Sequence, residues 1–134
     1  MRYKKEDFLS FIFAGILLFS CNKNPIIPEK DLSEIEARNL IEEILVKNNS
    51  RYKSFEKRLL LSLGEKENFY VDYVITKNDS KMAVINYVGE NDSQTDFTQQ
   101  GILSKYNISH LYLKMSSEKD LTLYVNNFIS QNFN

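Results

Sequence analysis

Cysteine and histidine occur once each in this chain of 134 residues, proline twice, glycine four times, and tryptophan not at all. One Cys excludes an internal disulfide scaffold, and one Cys with one His cannot supply a zinc site of the Cys/His kind. Four glycines exclude a collagen-like chain, and Gly64, Gly89 and Gly101 are too scattered to cradle a phosphate. Neither sign of charge dominates. Seventeen Lys and Arg meet eighteen Asp and Glu, a net of −1, which excludes a strongly basic nucleic-acid binder. Ala and Arg are also scarce, at 3 and 4, whereas Asn, Lys and Ile reach 14, 13 and 12. That bias follows A/T-rich codons and points to an A/T-rich bacterial genome.

Long hydrophobic runs are absent but for one. Arg2, Lys4 and Lys5 precede an almost wholly apolar stretch from Phe8 to Phe19. A basic start followed by an apolar run of about 7–15 residues is the pattern of a secretory signal peptide. As a helix the run would rise roughly 18 Å, short of the ~30 Å hydrocarbon core, which argues against the alternative of a transmembrane anchor. The run ends in Leu18-Phe19-Ser20-Cys21, and Cys21 is the one cysteine.

This ending resembles the lipobox of bacterial lipoprotein precursors, with Leu18 three residues before the Cys and small Ser20 just before it. Phe19 departs from the strict enterobacterial pattern. With the Asn/Lys/Ile-rich composition, the relaxed box is similar to those of spirochaetal lipoproteins of the Borrelia kind. The resemblance implies cleavage between Ser20 and Cys21 and acylation of Cys21. It places the chain in the cell envelope, with Asn22 favouring the outer membrane. Two or three acyl chains hold a protein stably at a bilayer, where one alone is marginal. The alternative is a lone buried cysteine.

Residues 21–30 carry both prolines of the chain, Pro25 and Pro28, and read as an extended tether. The periodicity then predicts a single α+β domain over 31–134. A first helix starts near Asp31, with a capping box from Asp31/Glu34 or Ser33/Glu36 and an apolar stripe of Ile35, Ala37, Leu40, Ile41, Ile44 and Leu45. A second is expected over Arg51–Leu63, with Tyr52, Phe55, Leu59, Leu60 and Leu63 inward and Gly64 ending it, so the two would form a helical hairpin. Period-two alternation predicts strands at Phe69–Thr76 and Lys81–Val88, joined by the turn Lys77–Ser80, and a third at Ile108–Met115. The segment 92–107 is ambiguous, since Phe97, Ile102, Leu103 and Tyr106 fit a helix but Gly101 weakens it. Ser117 and Asp120 open a last helix with Leu121, Tyr124, Val125, Phe128 and Ile129 on one side. The expected fold is thus an N-terminal helical hairpin, a small, mainly antiparallel three-stranded sheet and a C-terminal helix.

No catalytic, metal or cofactor site is expected. Glu90, Asp92 and Asp96 are the nearest approach to a calcium loop and lack its spacing and central glycine. His110 is the one imidazole, and strand alternation makes it a partly exposed strand residue rather than a base. Two surface features remain. Arg51, Lys53, Lys57 and Arg58 form a basic strip able to meet anionic headgroups, glycans or an acidic partner, unless they merely face Glu42 and its neighbours across the hairpin. Tyr70 and Asp72 share a strand face that suits a protein partner. The sequence therefore points to a non-catalytic binding lipoprotein, held to lipid through Cys21 and contacting a host or envelope protein, with no nucleic acid. Two alternatives are a small envelope hydrolase and a periplasm-facing assembly accessory, the latter because its outline is loosely similar to small outer-membrane assembly lipoproteins of the SmpA/OmlA type.

Overall fold

A computed structural model describes residues 29–90 and 94–134. The signal peptide, Ser20, Cys21 and most of the tether lie outside the described residues, as does Asp92. Helix α1 (Glu34–Lys47) begins at Ser33, whose hydroxyl accepts from the Glu36 N–H while the Glu36 carboxylate accepts from the Ser33 N–H. Two otherwise orphaned donors are satisfied at once, which is why the helix starts there. Helix α3 (Glu118–Asn132) is capped by Ser117, whose hydroxyl accepts from the Asp120 N–H without a return bond from the Asp120 carboxylate.

Between these helices run strands β1 (Ser54–Gly64), β2 (Glu67–Asn78) and β3 (Lys81–Gly89), helix α2 (Gln94–Lys105) and strand β4 (Ser109–Lys114). The fold is α+β, but the sheet has four strands in the order β1-β2-β3-β4, and β4 joins β3 in parallel across α2. Helices α1 and α3 cover one face. There Ile41, Leu45, Leu121, Val125 and Ile129 bury against Tyr73, Ile75, Ala83 and Ile85. Helix α2 covers the other face, where Leu103 meets Leu61, Val71, Val74 and Val84. Each fully buried aliphatic side chain stabilises the fold by ~1.5–3 kcal/mol relative to exposure.

Three expectations need correction. The segment Arg51–Leu63 is not a helix. Its apolar residues suit a 3.6-residue period and a two-residue period equally well, and pairing with β2 settles the matter, from Ser54↔Thr76 to Ser62↔Asn68. Gly64 accordingly closes a strand before the Glu65-Lys66 turn rather than capping a helix. The helix partner of α1 is α3, so the expected helical hairpin of α1 with residues 51–63 does not form. Several residues expected to face inward also point to solvent. Ile35 is 74% exposed, and Leu60, Phe97 and Tyr124 are exposed as well.

The β1–β2 hairpin contains a reversal that shapes its junction with α1. Strict alternation would put Phe55 and Leu59 on one face. Instead Phe55, with Tyr73 and Ile75, packs toward α1 and α3, whereas Leu59, Leu61 and Val71 pack toward α2. Both strands change face between the pairs Lys57↔Tyr73 and Leu59↔Val71. Arg58 lies at that point with φ +53°, a left-handed conformation that costs a residue with a Cβ roughly 1–2 kcal/mol.

Candidate functional site

The reversal at Arg58 opens a concavity of about 370 Å³ between α1 and the hairpin. Ile35, Arg38, Asn39 and Glu42 form its helical wall, and their i, i+3, i+4, i+7 spacing puts them on one stripe of α1. Lys57, Arg58, Asp72 and Tyr73 form the strand wall. Three of the six surface candidates, Lys57, Arg58 and Asp72, are thereby brought together. Tyr70 lies two residues from Asp72 and is 69% exposed, with its cross-strand partner Leu60 exposed beside it. Arg51 and Lys53 are not part of the site. They precede β1, where Arg51 donates to the Asn134 side chain at 3.4 Å.

Asp72 is not a free contact residue. The β2–β3 ladder stops at Tyr73↔Ile85, and side chains continue it. The Asp72 N–H donates to Asn86 Oδ1 at 2.7 Å, and the Tyr87 N–H donates to Asp72 Oδ2 at 2.8 Å. The other carboxylate oxygen pairs with Arg38 Nη1 at 3.3 Å, leaving the side chain 24% exposed. Among the described residues Nδ2 of Asn86 is buried with no hydrogen-bond partner. Asp72 thus holds the fork between β2 and β3 and anchors Arg38.

Arg38 is the hub of the helical wall. Its Nε donates to Glu34 Oε2 at 3.0 Å, and its guanidinium lies 5.6 Å from the centroid of the Tyr87 ring. Burial works against its charge, but the carboxylates of Glu34 and Asp72 outweigh that, and its pKa is raised. Glu42 accepts from Lys57 Nζ at 3.2 Å and from the Tyr73 hydroxyl at 3.0 Å. Burial, and then Glu42, push the Tyr73 hydroxyl well above the usual phenol range. Among the described residues Arg58 has no such partner: its guanidinium makes no ion pair. The wall therefore offers one uncommitted cation beside an exposed aliphatic side chain, Ile35. A spent hydrogen-bond network lies behind them.

This arrangement suits binding. No nucleophile–base pair lines the concavity, and its ionisable groups other than Arg58 are paired with one another. His110 lies elsewhere, on β4, its ring edge-on to Tyr112 at 5.9 Å. The left-handed backbone of Arg58 left no trace in the sequence, since nothing in Lys57-Arg58-Leu59 marks a turn. Among the described residues no three His, Cys, Asp or Glu gather as metal ligands, and no helix is long and apolar enough to cross a membrane. Comparison with protein-family models, curated proteins and solved structures gives no match, so the geometry and chemistry of the site are the ground for a functional reading.

Proposed function

We propose that the chain is a lipid-anchored envelope lipoprotein that acts as a non-catalytic binding module. In this reading the concavity between α1 and the β1–β2 hairpin receives an acidic group of a protein partner. The observation that carries it is Arg58. A strained backbone in mid-strand holds up a guanidinium that makes no ion pair among the described residues, and strain of this kind clusters at ligand sites. Arg offers a planar fork for a carboxylate, and Ile35, Leu60 and Tyr70 supply apolar contact around it. If residues 21–30 form the tether, the lead-in from Glu29 to α1 is short, which would hold the concavity near the anchor.

Two experiments test the two halves. Cells fed a palmitate analogue are expected to label the wild type but not Cys21→Ala, and label retained in the variant would remove the anchor. For binding, crosslinked partners of intact cells are compared between wild type, Arg58→Lys and Arg58→Glu. Partners recovered by the first two and lost in the third support the site, and an unchanged set in Arg58→Glu refutes it.

A further inference from the structure

Strand β1 ends the sheet, and among the described residues β2 is the one strand paired with it. Edge strands are ordinarily kept from further pairing by charge, proline or a local kink. The first part of β1 has such guards in Glu56, Lys57 and the reversal at Arg58. Beyond Arg58 the charges stop. Leu59-Leu60-Leu61-Ser62-Leu63 carries no charged side chain and no proline, and its ladder with β2 runs unbroken from Leu59↔Val71 to Ser62↔Asn68. On the α2 face Leu61 is buried, whereas Leu59 and Leu63 are only partly buried at the margin of that core. Leu60 alternates with them and is 47% exposed. Charge returns just past the strand, in the exposed turn residues Glu65 and Lys66. These two, like Glu56, make no ion pair with the described residues.

About Leu61 this segment is its own complement. From that we infer that β1 pairs antiparallel with β1 of a second copy of this chain, about a two-fold axis at Leu61. In this register Leu61 meets Leu61, Leu59 meets Leu63 and Leu60 meets Ser62, each of the other copy. All the leucine pairs fall on the α2 face, where the two half-covered margins close into one apolar layer. Farther out, Glu56 falls opposite Lys66 of the second copy, and Lys57 opposite its Glu65. Lys57 already holds Glu42 at 3.2 Å, so the Glu56–Lys66 pair is the new gain. Gly64 of the second copy lies opposite Arg58 and has no side chain to crowd the concavity. A sheet that continues across a two-fold axis keeps each residue on its own face, so the register slips only by moving the axis a whole residue. Centred on Leu60, the axis would set Glu56 against Gly64 and Lys57 against Leu63, with no charge matched. Centred on Ser62, it would set Arg58 against Lys66 and Leu59 against Glu65. Charge and burial thus select Leu61. The two-fold contact closes on itself, so pairing stops at a dimer. It stands whether or not the Arg58 concavity binds a partner.

The test combines sedimentation of the full chain in detergent micelles with oxidative crosslinking of cysteine variants. A concentration-dependent dimer is expected. Leu60→Lys/Ser62→Lys alters two exposed side chains and sets like charges opposite each other twice, so it should raise the dimer Kd about tenfold or more. Glu56→Lys should raise it about threefold at low salt and less at high salt, and adding Lys66→Glu should restore it. Leu61→Cys should give a disulfide-linked dimer, because directly opposite residues have Cα atoms about 4.5–5.5 Å apart. Leu60→Cys and Ser62→Cys should link far less, since each meets its own copy only diagonally, at about 7–8 Å. Peptide mass spectrometry separates these links from any made through Cys21. A chain that stays monomeric at millimolar concentration would overturn the inference. So would a dimer as tight in Leu60→Lys/Ser62→Lys as in the wild type, or crosslinking through Leu60→Cys or Ser62→Cys equal to that through Leu61→Cys.

Discussion

Replacing Arg58 by glycine should stabilise this protein, although glycine within a strand ordinarily does the opposite. The left-handed φ of +53° costs a residue with a Cβ about 1–2 kcal/mol, and glycine removes that cost. Against it stands the extra entropy that glycine loses on folding, about 0.5–1 kcal/mol. No ion pair of Arg58 with the described residues is forfeited. The balance is a gain of roughly 0–1.5 kcal/mol, centred near ~0.75 kcal/mol, which is about 3–6 °C in Tm for a domain near 100 residues. Lys57→Gly is the control. Lys57 has no positive φ and pairs with Glu42 at 3.2 Å, so the same change there should lower stability by about 1 kcal/mol. Thermal unfolding of the two variants, monitored by circular dichroism, separates them in sign. If Arg58→Gly melts below the wild type by as much as Lys57→Gly does, the strain argument is wrong, and with it the ground for reading Arg58 as a ligand residue.

Other expectations rest on different parts of the fold. Ser117→Ala removes the α3 cap and should lower stability by about 1 kcal/mol in urea titration, without changing the slope. Leu121→Ala, at a fully buried position between α3 and the sheet, should cost ~2–5 kcal/mol and expose the dye-binding surface of a loosened core. Gly89 has φ +63°, and an added Cβ would sit 3.3 Å from the Tyr87 ring, so Gly89→Ala should destabilise by roughly 1 kcal/mol or more. Burial and Glu42 raise the Tyr73 phenol, so the fold favours its neutral form. That contribution is complete below the unfolded value of about 10 and is lost as the pH rises beyond it. The urea midpoint should accordingly fall between about pH 9 and pH 11, and fall less in Tyr73→Phe. An equal fall in both would assign the effect to other groups.

Local chemistry alone determined a good part of this protein. The Ser33/Glu36 capping box, the Ser117 cap, the Asn78 turn whose side chain accepts from Ser80, and the alternation of β2 and β3 are all legible within a few residues. Each is an interaction between near neighbours and needs no knowledge of what lies across the chain. The α+β class came from the change of period between such segments.

Tertiary structure decided the rest. Tyr52, Phe55, Leu59, Leu60 and Leu63 carry a helical stripe, yet Phe69–Thr76 offers β1 an unpaired edge and α3 offers α1 a better apolar surface. Asp72 reads as an exposed partner of Tyr70, but the parting of β2 and β3 draws it in to bridge Asn86, Tyr87 and Arg38. Three of the basic and acidic candidates met at one concavity only because the hairpin reverses at Arg58. The parallel pairing of β4 with β3 arises from a crossover through α2, which no local pattern announces. Periodicity records which side of a segment is apolar. Which other segment covers that side is a competition among all of them, and it is resolved only when the whole chain packs.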